Sequence, residues 1–216
     1  MSCLFDDTTL VRVDSTIPNQ PEERAVYDRL CALDALRHGH FLLSSGRHSP
    51  HYVQCALAFV RAEDGAWFCH RLAEKIRALG LQIDAIVGPA MGAVVLSYEI
   101  GRQLGLPAFF CERTVGTDGS VFGFRRGLTL PEGARVLVVE DVVTTGRSVH
   151  EVAALLKKHG AEWVGVASLV DRSGGNHGFP VPLVSLLSIA LEHYPADALP
   201  AWLASIPVVK PGSRPS

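Results

Sequence analysis

VLVVEDVVTTGRSV, from Val136 to Val149, carries more structural information than any other part of the chain. Four apolar, mostly β-branched residues run into two adjacent carboxylates, Glu140 and Asp141. A turn rich in hydroxyls and glycine follows, and then an amphipathic helix. Flanked by Gly133 and Gly146, the apolar run reads as a strand buried on both faces. A carboxylate pair at the carboxyl end of such a strand is costly unless it has partners or a task. Beyond it, Thr144, Thr145, Gly146, Arg147 and Ser148 surround a helix N-terminus, where unpaired backbone N–H groups form an anion site. Acid pair beside anion cradle suits a ligand with hydroxyls and a phosphate.

Outward from this stretch the pattern becomes regular. Ala85–Gly88, Pro107–Phe110 and Trp163–Val170 read as strands. Met91–Leu104 and Ser148–His159 read as helices closed by Gly105 and Gly160. This alternation predicts an α/β fold with a parallel sheet and helices on both faces. Ligands in such sheets bind beyond the carboxyl ends of strands, so three loops share one rim: Gly88–Gly92, Asp141–Ser148 and Asp171–Gly175. Val181–Trp202 reads as a last strand and a short helix. Upstream, Arg24–His38 is expected as a helix ended by Gly39, and Gly65–Leu79 as another ended by Gly80. HFLLSSGRHSPHYVQC reads as two short strands around a Ser-Ser-Gly turn.

Glu112–Arg126 breaks the alternation. Four glycines in TVGTDGSVFGFRRG (Thr114–Gly127) and the Asp118-Gly119 pair predict a β-hairpin, expected as a mobile lid rather than part of the sheet. The domain reading is an N-terminal arm over 1–22 and a single domain over 23–216. Within that domain, a hood covers 39–60, the lid 112–126 and a C-terminal tail 205–216.

The 216 residues are 48% hydrophobic and 19% charged, which suits a globular chain. A formal net charge of −2 gives no global attraction to nucleic acid or anionic membrane. No apolar run reaches the ~20 residues of a membrane span, and the acidic N-terminus lacks the basic region of a secretory signal. Five cysteines without a C-x-x-C pair fit reduced thiols and a cytoplasmic location. His48, His51 and Cys55 are too few for a zinc site, and no Walker pattern occurs.

The strand, acid pair, TTG turn and helix resemble the phosphoribosyl diphosphate motif of type I phosphoribosyltransferases. GHFLLSSGRHSPHYVQ (Gly39–Gln54), VGPAMGAVVLSYEIGRQLG (Val87–Gly105) and LVDRSGG (Leu169–Gly175) are similar to the orotate phosphoribosyltransferase family. The four blocks span roughly Arg24–Gly175. The resemblance implies a five-stranded parallel sheet, a small N-terminal hood and a homodimer. It also implies a reaction: orotate plus 5-phospho-α-D-ribose 1-diphosphate (PRPP) gives orotidine 5′-phosphate and diphosphate, with Mg²⁺ held mainly by substrate and no dedicated protein cage. Asp141, Glu140 and Arg113 are then the catalytic residues. Together with Val142, Val143, Thr144, Thr145, Gly146, Arg147 and Ser148, they bind PRPP. Thr144, Arg172 and Tyr52 meet orotate.

Chemistry supports those roles. Breaking the C1–diphosphate bond leaves oxocarbenium character, which nearby carboxylates favour. Orotate is a planar carboxylate that a guanidinium grips by two parallel hydrogen bonds. The chain departs from the family's Arg-Lys-x-x-Lys-x-His-Gly lid run: after Arg113 no Lys or His occurs before Arg125, and Ser44 stands where a lysine is common. Arg125 and Arg126 are therefore candidate lid cations for the diphosphate. Two alternatives remain at this point: a sister enzyme using a purine or another base, and a non-catalytic PRPP-sensing regulator that binds nucleic acid.

Overall fold

The computed structural model describes residues 17–116 and 119–211. Cys3, most of the expected arm, Asp118 of the expected Asp-Gly turn and the end of the tail lie outside the described residues. The chain begins with α1 (Pro21–Ala32), where proline opens the helix and Glu22 and Glu23 face its positive end. β1 (Leu36–Leu42) and β2 (His48–Val53) form an antiparallel pair around the Ser-Ser-Gly turn. A 3₁₀ turn (Cys55–Phe59) leads into α2 (Ala62–Ala78). Then come β3 (Ala85–Pro89), α3 (Ala93–Leu104), β4 (Ala108–Gly116), β5 (Gly119–Gly123), β6 (Arg135–Val143), α4 (Arg147–Lys158), β7 (Glu162–Asp171) and β8 (Leu183–Ser188). The chain closes with α5 (Ala201–Ala204) and β9 (Val208–Val209).

The main sheet has the order β5-β4-β3-β6-β7-β8. β4, β3, β6, β7 and β8 run parallel, and β5 is antiparallel at the edge. Alternation along β6 explains why its apolar run is unbroken. Leu137 and Val139 join the core under α1, α2 and α3, while Val136 and Val138 join the one under α4. All four are fully buried. α3 carries the chain from β3 to β4 on one face, and α4 carries it from β6 to β7 on the other. The two crossovers therefore diverge between β3 and β6, which opens a crevice at the carboxyl ends of these neighbours.

Two sequence expectations are corrected. The first helix stops at Ala32 rather than His38. Asp34 takes a left-handed conformation (φ 55°), and Leu36, Arg37 and His38 pair with Val53, Tyr52 and His51. The apolar spacing that suggested continued helix also fits a strand with one buried face, and tertiary pairing selects the strand. The hairpin at 112–126 is not detached from the sheet. β4 pairs with β3 at its start and with β5 at its end, and Phe122 is buried against the α4-side core.

The hood is a second, three-stranded sheet of order β2-β1-β9. Its third strand comes from the C-terminal segment, pinned where His40 Nδ1 donates to the Ile206 carbonyl at 2.9 Å. α1 and the 3₁₀ turn pack into the same core as the main sheet, so hood and sheet share one apolar interior.

Candidate active site

β6 runs through the acid pair to Val143, so Glu140 and Asp141 lie within the strand's last turn of pleat rather than after it. The pleat sends them to opposite faces. Asp141 lies against the start of α3: a Cβ on Gly92 would meet its Oδ2 at 2.6 Å, so only glycine leaves room for this carboxylate. Its Oδ1 accepts the Val142 N–H at 2.9 Å. Glu140 is 8% exposed and accepts the Asp141 N–H at 3.2 Å. Burial, and next the neighbouring Asp141 charge, push the Glu140 carboxyl up to about 9. Both effects favour its protonated form. Arg113 opposes this shift through its charge, which places the lid stem within electrostatic reach of the acids.

The adjoining loop is an anion cradle. Gly146 caps α4 at φ 75°; the Arg147 N–H donates to Thr145 Oγ1 at a long 3.4 Å, and the N–H groups of Ser148 and Val149 stay available to a ligand. Gly146 is doubly required, since a Cβ there would lie 2.6 Å from the Phe179 ring. Phe179 in turn stacks on His177 and meets His150 and Trp163. Glu140 and the loop from Val142 to Val149 line a recess of about 60 Å³. Val143 contributes backbone only, since its side chain is core and its carbonyl accepts the Arg172 N–H at 2.8 Å. A larger cleft of about 570 Å³ between α1, α2 and β8 presents charges of both signs from Glu22, Arg71, Glu74 and Lys75 and contains none of these groups.

Arg172 follows β7 on the same rim. Asp171 does not neutralise it, because Asp171 Oδ1 accepts the Ser173 N–H at 2.8 Å. Among the described residues Arg172 has no ion pair, and its Nε is buried without a hydrogen-bond partner. Burial lowers its pKa, the mark of a cation stripped of water and left without an anion. Beside it, Cys55 from the 3₁₀ turn donates toward the Asp141 carbonyl at 3.8 Å, bringing the hood's end to the rim. The Cys55 thiol is pushed well up by burial and then by Asp141 and Glu140, so it stays protonated. Tyr52 lies on β2 with its ring 5.7 Å from that of Phe41, a packing contact within the hood.

Of the lid cations, Arg113 lies directly across from Phe122 and 4.2 Å from its ring centre. Its Nη2 donates to Glu151 Oε2 at 2.6 Å. Arg126 grips Glu112 with two bonds of 2.9 and 3.0 Å, which lower the Glu112 carboxyl and raise the guanidinium. Arg125 is exposed and has no ion pair among the described residues. Sequence reasoning placed Gly92 on the rim but missed the rim roles of Phe179, Cys55 and Glu151. Only Glu151 left a readable trace, at the i+4 spacing from Arg147 on a helix.

A phosphoribosyl transferase domain matches residues 65–177. The orotate phosphoribosyltransferase of Caulobacter vibrioides (strain NA1000 / CB15N) is 47% identical over 189 residues, 88% of this chain and 95% of the relative. That of Sphingopyxis alaskensis is 49% identical over 185 residues, 85% of this chain and 92% of the relative. The chain belongs to the orotate phosphoribosyltransferase family. The crystal structure of orotate phosphoribosyltransferase from Aeropyrum pernix superposes with a TM-score of 0.65 at 26% identity, covering 76% of this chain and 93% of that one. Orotate phosphoribosyltransferases make orotidine 5′-phosphate and diphosphate from orotate and PRPP, and that step of pyrimidine biosynthesis is the activity of this chain. The purine-enzyme and regulator alternatives give way to it. No helix among the described residues is long and apolar enough to cross a membrane.

Proposed function

We propose that orotate and PRPP meet in the crevice between β3 and β6, with roles divided among the three loops. Glu140 and Asp141 take the ribose hydroxyls. Because its surroundings favour the protonated form, Glu140 donates to a hydroxyl oxygen, while the more exposed Asp141 presents its carboxylate beside the sugar carbon that gains positive charge. The turn Thr144–Ser148 holds the 5-phosphate through N–H groups of the first turn of α4 and through its hydroxyls. Thr144 and Arg172 orient orotate, and Arg113 faces the diphosphate with Arg125 and Arg126 as further lid cations.

Among the described residues no group of three or more His, Cys, Asp or Glu side chains is placed to hold a metal ion. The donor set is instead one carboxylate, Asp141, next to sugar hydroxyls and diphosphate oxygens. That set fits Mg²⁺, which keeps most of its shell from substrate and water. When bound, it neutralises charge on the leaving diphosphate.

A homodimer is supported by Met91, Val95 and Tyr98, which are 82, 53 and 68% exposed. Val95 and Tyr98 lie on α3 and Met91 in the Gly88–Gly92 loop before it, so the three make an apolar patch around the start of that helix. The thiols of Cys55, Cys69 and Cys111, buried and outside any disulfide among the described residues, support a reducing, cytoplasmic location. One domain over 23–216, with hood, lid and tail as its parts, accords with the shared core.

The unneutralised, half-buried Arg172 beside the acid pair and phosphate turn carries this reading, since a carboxylate-bearing base supplies the anion it lacks. Arg172→Ala should raise the orotate KM by about 100-fold, the worth of a bidentate charge-assisted pair, and leave the PRPP KM nearly unchanged. Steady-state kinetics varying each substrate tests this. An orotate KM within threefold of wild type would remove Arg172 from the base site.

A further inference from the structure

Glu151 stands on the first turns of α4, and its two oxygens are each occupied by a different guanidinium. Oε1 accepts from Arg147 Nε at 2.8 Å, and Oε2 accepts from Arg113 Nη2 at 2.6 Å. The two arginines come from distant segments: Arg147 from the phosphate turn itself and Arg113 from the stem of the lid. Arg113 is also held from above by the Phe122 ring. One carboxylate thus links the 5-phosphate turn to the lid. The side chains of Glu151 and Arg113 are 28 and 40% exposed, so the pair is partly withdrawn from solvent.

A neutral role in helix propping leaves part of this arrangement unexplained. An i,i+4 pair with Arg147 accounts for one oxygen. The other reaches across to the lid cation whose charge acts on Glu140. An acid between two cations meant for phosphates repels an incoming polyanion unless it lets them go. Its geometry, two oxygens each accepting from one guanidinium, is also the geometry a phosphate offers. Burial works against the Glu151 charge, yet hydrogen bonds from Arg147 and Arg113 outweigh it and hold the carboxyl below its ordinary range. It is therefore ionised throughout the neutral range.

We infer that Glu151 is an internal stand-in for substrate phosphate: it holds Arg113 and Arg147 in the ligand-free enzyme and yields them when PRPP or diphosphate binds. This rests on the reading that Arg113 contacts the phosphorylated ligand. Glu151 is then a positioning residue. Its competition with the ligand weakens binding of PRPP and keeps the lid stem docked on α4 between turnovers.

The test uses the full-length enzyme with PRPP, with inorganic diphosphate as a non-reacting probe, and the variants Glu151→Gln, Arg113→Ala and the double variant. Glutamine keeps the size and removes the charge. Glu151→Gln should lower the PRPP KM and the diphosphate Kd by about three- to tenfold, the scale of partly exposed ion pairs, with kcat changed less than twofold. A structural prop would instead lower kcat or thermal stability without tightening either ligand, and that result overturns the inference. In the Arg113→Ala background the effect of Glu151→Gln should shrink to under twofold. Equal tightening with and without Arg113 means that Glu151 acts only as a distant charge, which also overturns the stand-in role. Should Arg113→Ala alone leave PRPP and diphosphate binding unchanged, the reading of Arg113 fails first and takes the inference with it.

Discussion

Between Val143 and Ser148 the anion site is made of backbone; between Glu112 and Arg126 it is made of charged side chains already engaged with acids. The phosphate turn is preformed. Gly146 holds a left-handed conformation, Phe179 fills the space behind it, and the Ser148 and Val149 N–H groups at the start of α4 carry no side-chain cap. Its backbone donors need no release before a phosphate enters, and of its side chains only Arg147 is engaged by an acid, Glu151. In the lid, Arg113 is bound to Glu151 and Arg126 to Glu112. A backbone cradle offers constant, modest affinity, while side-chain cations can be withheld and delivered. The two rims thus separate recognition of the sugar phosphate from capture of the leaving diphosphate.

Breaking the rigid half should have the largest effect. Gly146→Ala imposes a strained backbone, costing ~1–2 kcal/mol, and drives a methyl group into the Phe179 ring. The N–H groups then leave their common focus, and kcat/KM for PRPP should fall by about 10³-fold, the scale seen when preorganised donors are lost. A loss under tenfold in a steady-state assay would show that the turn adjusts, and the contrast with the lid would disappear.

Breaking the exchangeable half should cost less. Arg126→Ala removes one lid cation that is paired in the ligand-free state, so ligand binding must also offset release from Glu112. A decrease of about tenfold in kcat/KM is expected, consistent with one solvent-exposed charged hydrogen bond. Unchanged turnover would leave Arg125 as the lid-end cation that serves the diphosphate.

The smallest effect is on stability and lies between the two rims, at Glu140. Its folded value of about 9 is above the ordinary carboxylate value of 4.5, so the folded chain holds an extra proton between those limits. Stability from this group is therefore fully present at low pH and is lost as pH rises through that window. Glu140→Gln removes the dependence. The melting temperature of the variant relative to wild type should rise steadily from pH 5 to pH 9. Parallel curves in differential scanning calorimetry would show that Glu140 is ionised in the ligand-free protein.

Legibility followed the length scale of the interaction. The buried β6 strand, its acid pair, the glycine turn and the α4 helix are all local, and each left a pattern over fewer than fifteen residues. The rim of three loops was likewise readable, since parallel-sheet topology forces successive carboxyl ends to one side. The first helix was overextended because Leu33 and Leu36 satisfy a helical stripe as well as a strand's buried face. Only pairing with Val53 separates the two. The lid was misread as detached because its glycines and polar residues hide the one buried anchor, Phe122.

Composition and local spacing settled the α/β class, the family resemblance and which backbone would cradle a phosphate, because those properties depend on neighbours along the chain. Three other facts were set by packing between segments remote in sequence. Gly92 makes room for Asp141, the C-terminal Val208–Val209 completes the hood, and Glu151 holds a lid arginine 38 residues away. Such contacts arise only when folding brings those segments together, and no periodicity records them in advance.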